Sequence, residues 1–175
     1  MKKLALTAVL LIVVALSGAF AEHPSGWSLG IGYQFGGLWE TSDTIDHGLN
    51  LLLKFPNKPI YWGISAGFYD KSSSTFWFRL TGDYYFLDFD LAPKINLGWF
   101  LGIGAYFQIA HYGKQFNGID AGGRLPIGLC WMPLEFLEIF LDFAPSVGLF
   151  AHLGDNSKIG LGGGWQGDVG IRFWF

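Results

Sequence analysis

Residues 95–113 read INLGWFLGIGAYFQIAHYG, 19 residues without Asp, Glu, Lys or Arg. Two structures compete for such a stretch. As a helix it nearly spans a bilayer, which takes about 20 apolar residues, and Gly98-x-x-x-Gly102 matches a helix-packing spacing. As a strand it places Leu97, Trp99, Leu101, Ile103, Ala105 and Phe107 on one face, because successive side chains point to opposite sides. From Ile95 to Phe107 large residues alternate with Gly, Asn and other partners, which is the strand period. No second segment of this kind exists, and a G-x-x-x-G is weak evidence in a chain with 26 Gly.

The same period of two recurs eight times after residue 22. The first run puts Trp27, Leu29, Ile31, Tyr33 and Phe35 on one face, the second Leu49, Leu51, Leu53 and Phe55. Ile60 to Phe68 and Phe76 to Phe86 are the third and fourth, and Leu97 to Phe107 is the fifth. Ala121 to Trp131, Leu137 to Leu149 and Trp165 to Phe175 complete the set. None of these positions is charged. The opposite faces hold Lys54, Arg79, Asp83, Arg124, Glu138, Asp142, Asp168 and Arg172 among many Gly and Ser.

Composition narrows the reading. Charged residues make up 14% of the chain and aromatics 18%, so disorder is excluded. A formal charge of −3 without a basic run argues against a nucleic-acid partner. A single Cys excludes an intramolecular disulfide framework. Met1-Lys2-Lys3, the uncharged run Leu4–Leu16 and Ala19-Phe20-Ala21 have the layout of a secretory signal peptide. We therefore expect a signal at residues 1–21 and one domain at 22–175. Cleavage after Ala21 would leave 11 − 2 = 9 basic against 14 acidic residues.

Alternating strands suit either a soluble sandwich with its apolar face inward or a membrane barrel with that face outward. Eight charges on eight strands are too few for a water-facing surface. Aromatics gather at strand ends, as an interfacial girdle requires. In lipid every backbone N–H and C=O must be satisfied internally, so strands must close on themselves. The expected fold is an all-β, eight-stranded antiparallel up-and-down transmembrane barrel, apolar outside, with a filled polar lumen.

The connections fit this topology. Pro56–Pro59, Asp88–Lys94 and Met132–Phe136 are short; Gly36–His47, Tyr69–Thr75, Gln108–Gly118 and Phe150–Gly162 are mostly longer, and the two kinds alternate. That is the pattern of short periplasmic turns and longer outside loops, with both termini in the periplasm. Pro126 on the inner face and Pro145 on the outer face each remove a ladder bond, so a bulge or strand end is expected at each.

The chain ends Val169-Gly170-Ile171-Arg172-Phe173-Trp174-Phe175. Val169, Ile171, Phe173 and Phe175 resemble the C-terminal insertion signal of Gram-negative-type outer-membrane barrels, read in those families by the barrel-assembly machinery. The mature chain is similar to the small eight-stranded class of OmpX and the OmpA transmembrane domain. The segments GRLPIGL and LEIFLDFAPSVGL resemble a family of small spirochaetal outer-membrane barrels. The resemblance implies a diderm outer membrane, contact with its lipid, and export by a signal peptide.

Eight strands enclose a lumen just wide enough for side chains to fill. The eight inward charges sum to zero, so we expect a salt-bridge network, since buried charges must be paired. If the 132–136 turn sets the register, Arg124 lies diagonal to Asp142. If the last loop is symmetric, Arg172 faces Phe140. Trp77, Tyr85, Phe100, Phe140 and Trp174 help fill the space.

Other chemistry is weakly signalled. His47, His111 and His152 fall in three outside loops without metal-ligand spacing. Ser72, Ser73 and Ser74 with Asp70 lack a nearby base, and so lack the means to activate a nucleophile. Gly160–Gly164 lacks the Lys-Ser/Thr of a phosphate loop, and Cys130 is a lone inward thiol. No catalytic, metal or cofactor site is expected. The first loop, with Trp39, Glu40, Asp43 and Asp46, and the third, with His111, Tyr112, Lys114 and Phe116, are candidate contacts for a host or matrix ligand. The expected role is structural or surface-interacting. A narrow channel for small or apolar solutes is the alternative, and a lipid-modifying enzyme the third reading.

Overall fold

The computed structural model describes residues 24–38, 45–69, 75–112, 117–153 and 157–175. The expected signal peptide, Trp39, Glu40, Asp43, Asp70, Ser72–Ser74, Lys114 and Phe116 lie outside them. The described residues form strands β1 (Ser28–Leu38), β2 (Asp46–Lys54), β3 (Ile60–Tyr69), β4 (Thr75–Ala92), β5 (Leu97–Tyr112), β6 (Asn117–Arg124), β7 (Ile127–Leu134), β8 (Leu137–Leu153) and β9 (Lys158–Trp174). Apart from β6 and β7, consecutive strands pair antiparallel, and β1 pairs with β9, which closes the ring. β6 and β7 share one place between β5 and β8, so nine segments fill eight positions. No described helix is long and apolar enough to cross a membrane, which says nothing of strands. Residues 97–107 are strand, as their alternation predicts.

Register gives the barrel its dimensions. Following partners from Ser28 through Lys54, Tyr61, Asp83, Gly104, Arg124, Ser146 and Gly164 returns to β1 at Leu38, a stagger of 38 − 28 = 10 residues. With about 3.3 Å per residue and about 4.8 Å between strands, this tilts the strands by about 40° and sets a backbone radius of about 8 Å. So tight a ring needs close strand approach on its inner face. Gly48 faces Gly67, and Gly122 faces Gly148. A Cβ on any of the four would meet a carbonyl oxygen of the opposite strand.

Several strand ends differ from the expectation. β4 continues through Asp88 to Ala92 past an irregularity between Tyr85 and Leu87, and the turn is the short 3-10 segment Pro93–Ile95 with Asn96. Asn96 takes a left-handed conformation with φ 53°, which Asn tolerates, and its N–H bonds the Pro93 carbonyl. β7 runs to Leu134, leaving Glu135–Phe136 as the turn. β1 and β2 reach Leu38 and Asp46, so the first connection is shorter than Gly36–His47. Gln108–Tyr112, Asn117–Gly118, Phe150–Leu153 and Lys158–Gly162 are also strand, although the sequence places them in loops. Their alternation is weaker, but each has a partner strand beside it, and pairing outweighs propensity.

The prolines behave differently from one another. The ladder lapses at Leu125–Pro126, yet Arg124 faces Ser146 and Ile127 faces Phe143, so register passes through unbroken without a bulge. Pro145 stays inside β8 on the outer face, with neither bulge nor strand end. The wall is held there by Leu125 N–H to Pro145 O at 3.0 Å and Gly102 N–H to Pro126 O at 2.7 Å.

Gly48→Val and Gly122→Val should each lose about 1–3 kcal/mol through forced strand separation. Gly123→Ala, whose Cβ would sit 3.8 Å from its nearest neighbour, should leave stability unchanged. Urea midpoints of detergent-folded protein check both.

Candidate functional site

The period of two, carried around a closed ring, sends one set of side chains out and the other into the lumen. All eight expected inward charges are buried: Lys54, Arg79, Asp83, Arg124, Glu138, Asp142, Asp168 and Arg172. Their partners fall in three layers, each built around one arginine.

In the layer farthest from the termini, Arg79 on β4 donates from Nη2 to Asp46 Oδ2 at 2.7 Å, from Nη1 to Gln34 Oε1 at 3.0 Å, and from Nε to Gln108 Oε1 at 2.7 Å. Its guanidinium lies 4.6 Å from the Trp77 ring centroid. Three acceptors from β1, β2 and β5 thus meet the fork of donors that Arg presents.

In the middle layer Arg124 donates from Nη1 to Gln166 Oε1 at 2.7 Å. Asp83 stands 3.3 Å from its Nε and Asp142 3.7 Å from its Nη2, ion pairs without hydrogen-bond geometry. Asp168 faces Asp142 directly across β8 and β9. It takes a hydrogen bond from Asn50 Nδ2 on β2. The two meet across β1 because Gly32 between them has no side chain; a Cβ there would strike the Asp168 carboxylate. A cavity of about 10 Å³ lies among Asn50, Thr81, Asp83, Arg124 and Asp168, room for about one water.

In the layer nearest the termini Arg172 donates from Nη1 to Glu138 Oε1 at 2.6 Å, and Trp174 Nε1 donates to Glu138 Oε2 at 2.8 Å. The Arg172 guanidinium lies 4.8 Å from the Phe140 ring and 5.0 Å from the Tyr61 ring, within cation–π range. Lys54 Nζ sits 5.6 Å from both Tyr61 and Trp174. Tyr61, Tyr85 and Phe100 stack in a column at 4.3 Å spacings. Trp77, Phe100, Phe140 and Trp174 are all buried in the lumen.

Two expectations on register need different treatment. Arg124 and Asp142 do lie on neighbouring strands within 3.7 Å. Arg172, however, faces Glu138, and Phe140 faces Gly170, because the pairs of β8 and β9 centre on residue 155 and not on 156, the middle of the expected loop Phe150–Gly162. Asp46 is a further correction: expected in the first loop, it begins β2 and is buried on Arg79. Gln108 and Gln166 were likewise missed as Arg partners. All three share the parity of the inner face of their own strand: Gln166 lies inside the eighth alternating run, and Asp46 and Gln108 lie a few residues beyond the second and fifth.

The other candidates do not converge. His47 lies on β2 beside the Tyr33 ring, His111 on β5 against Phe76, and His152 on β8 against Phe150. They stand on strands and not in the expected loops. Among the described residues no group of three or more His, Cys, Asp or Glu is placed to hold a metal ion. Cys130 is buried. Gly160–Gly164 lies in β9.

Known proteins share this architecture. Neisserial surface protein A aligns with a TM-score of 0.62 at 12% identity, over 88% of this chain and all of that one. The outer membrane protein OprG from Pseudomonas aeruginosa aligns with a TM-score of 0.54 at 11% identity, over 90% of this chain and 99% of that one. Such likenesses speak for the fold alone, a small closed antiparallel barrel. No curated protein matches the sequence. A family model does match residues 45–173, most of the barrel, and the chain belongs to the family described as "Protein of unknown function (DUF3996)".

Proposed function

We propose that the protein is an exported, integral outer-membrane barrel whose lumen is a structural plug and whose loop ends serve surface interaction, without enzymatic activity. One observation carries the reading: the wall is inside out for a water-soluble protein. Ile31, Leu49, Val147 and Leu161 point outward and are exposed, while four Lys or Arg and five Asp or Glu are enclosed. An apolar surface running round the whole wall far exceeds the few hundred Å² a soluble monomer shows. In hydrocarbon that surface needs no cover, and the closed ladder leaves few backbone groups unpaired.

The termini support insertion through the strand-terminal signal. Val169, Phe173 and Phe175 face outward, while Trp174 between them turns inward to Glu138. Phe175 N–H bonds Trp27 O at 2.8 Å, which ties the last residue to the start of the ring. Together with Ile171, of the same parity, these outward residues are the set we assign to recognition by the barrel-assembly machinery. The end carrying the termini is then periplasmic, and the loops at 39–45, 70–74, 113–116 and 154–157 face outside, where a host or matrix ligand would bind.

The plug role follows from the layers at Arg79 and Arg172, whose donors are met by acceptors at hydrogen-bond distance. The middle layer is looser, held by ion pairs of 3.3 and 3.7 Å around a small cavity. That looseness favours the second reading, a narrow conduit gated by exchange of Arg124 partners.

Planar-bilayer recording separates the readings. The plug predicts no steady openings. Steady openings that Arg124→Ala abolishes or shifts would establish the conduit. A lipid acyl-release assay should be silent, and activity lost on replacing Ser72–Ser74 by Ala would overturn the non-enzymatic reading. Protease added to intact cells should cut within residues 40–45.

Removing one member of a buried pair strands the other. Glu138→Ala should destabilise by about 3–5 kcal/mol, and the double change Glu138→Leu with Arg172→Met should recover most of that loss. Unfolding in urea, read on detergent-folded protein, measures both.

A further inference from the structure

The apolar outer face is not equally tall around the ring. On β9 it runs from Phe173 to Ile159, 173 − 159 = 14 residues of one strand. At about 40° of tilt this covers about 35 Å along the barrel axis, against about 25 Å for the apolar band of such barrels. On β2, two strands away, the outer face from Phe55 to Ile45, interrupted by His47, spans 55 − 45 = 10 residue steps, about 25 Å along the axis. The aromatic belt on the tall side is formed by Trp165 with Phe35 at 6.0 Å and Phe143 at 5.9 Å.

Beyond that belt the face stays apolar through two complete rows. Phe107, Ala121, Leu149 and Leu161 are successive partners across β5, β6, β8 and β9, and Ile109, Ile119, Ala151 and Ile159 form the next row. Neither row contains a charge. Leu161 and Ile159 are each 78% exposed and Leu149 59%. Water would leave this sheet face uncovered. The face is continuous, strand by strand, with the wall that the proposed function places in lipid.

We infer that the outer face of the β8–β9 hairpin beyond Trp165 is sunk in acyl chains of the outer leaflet, so that the barrel tilts or the leaflet thickens locally on that side. A hydrophobic stretch longer than the bilayer is accommodated in these two ways. The partner is the hydrocarbon of the lipid, and the hairpin acts as a lateral anchor. This rests on the membrane reading above, and the test separates the two.

In a Cys130→Ala background, Leu161→Cys and, separately, Ile159→Cys carry an environment-sensitive fluorophore in dioleoyl phosphatidylcholine vesicles. Leu129→Cys reports the lower wall and Ser157→Cys the hairpin tip. Heat-modifiable migration confirms that each variant is folded. Chain-brominated lipid should quench the labels at 161 and 159 as strongly as the one at 129, while iodide reaches only the label at 157. Iodide quenching at 161 and 159 with lipid quenching kept at 129 would overturn the anchor alone. Disulfide dimers formed by unlabelled Leu161→Cys but not by Leu129→Cys would assign the face to a second copy and overturn it as well. Iodide quenching at 129 too would overturn the membrane reading with it.

Discussion

The closed backbone ladder is the constraint on which the rest depends. β1 and β9 are far apart in the chain yet pair from Ser28 to Leu38. Without that pairing the sheet would expose two open edges, and unpaired peptide groups cost several kcal/mol each in hydrocarbon. Closure turns an alternating chain into two environments. One parity of residues meets the surroundings, and the other is shut inside.

The lumen follows from closure. A ring of eight positions and a stagger of ten has a radius of about 8 Å, too narrow for bulk water once side chains are present. Polar residues inside must therefore satisfy one another. Arginine suits this task because its five donors reach acceptors on several strands at once. Arg79 joins β4 to β1, β2 and β5, and Arg172 joins β9 to β8. The Arg79 bonds to Gln34 and Asp46 cross the lumen, where the ladder does not reach, while Gln108 and Glu138 face their arginines from adjacent strands. Glycines make the room: Gly32 lets Asn50 meet Asp168, and Gly128 lies against the Phe100 ring.

The family model covers most of the barrel, and the shared architecture extends to proteins near 12% identity. Such divergence is physically reasonable. The outward face asks only for apolar character, and the inward face for polar groups that find partners. Neither demand names a residue type at a given position. The pairing within the lumen depends on which strand brings Asp46, Gln34 or Glu138 within reach.

The amino-acid order alone determined the strand period, the faces and the even strand count, because a side chain's side of a sheet depends only on local parity. That is why all eight inward charges were legible and why the wall could be assigned outward. Strand ends and partners were another matter. Asp88 to Ala92 remains strand, and Arg172 meets Glu138 and not Phe140, because register comes from pairing between distant strands. Parity says which residues share the lumen. Only the stagger of the closed ring decides which of them touch.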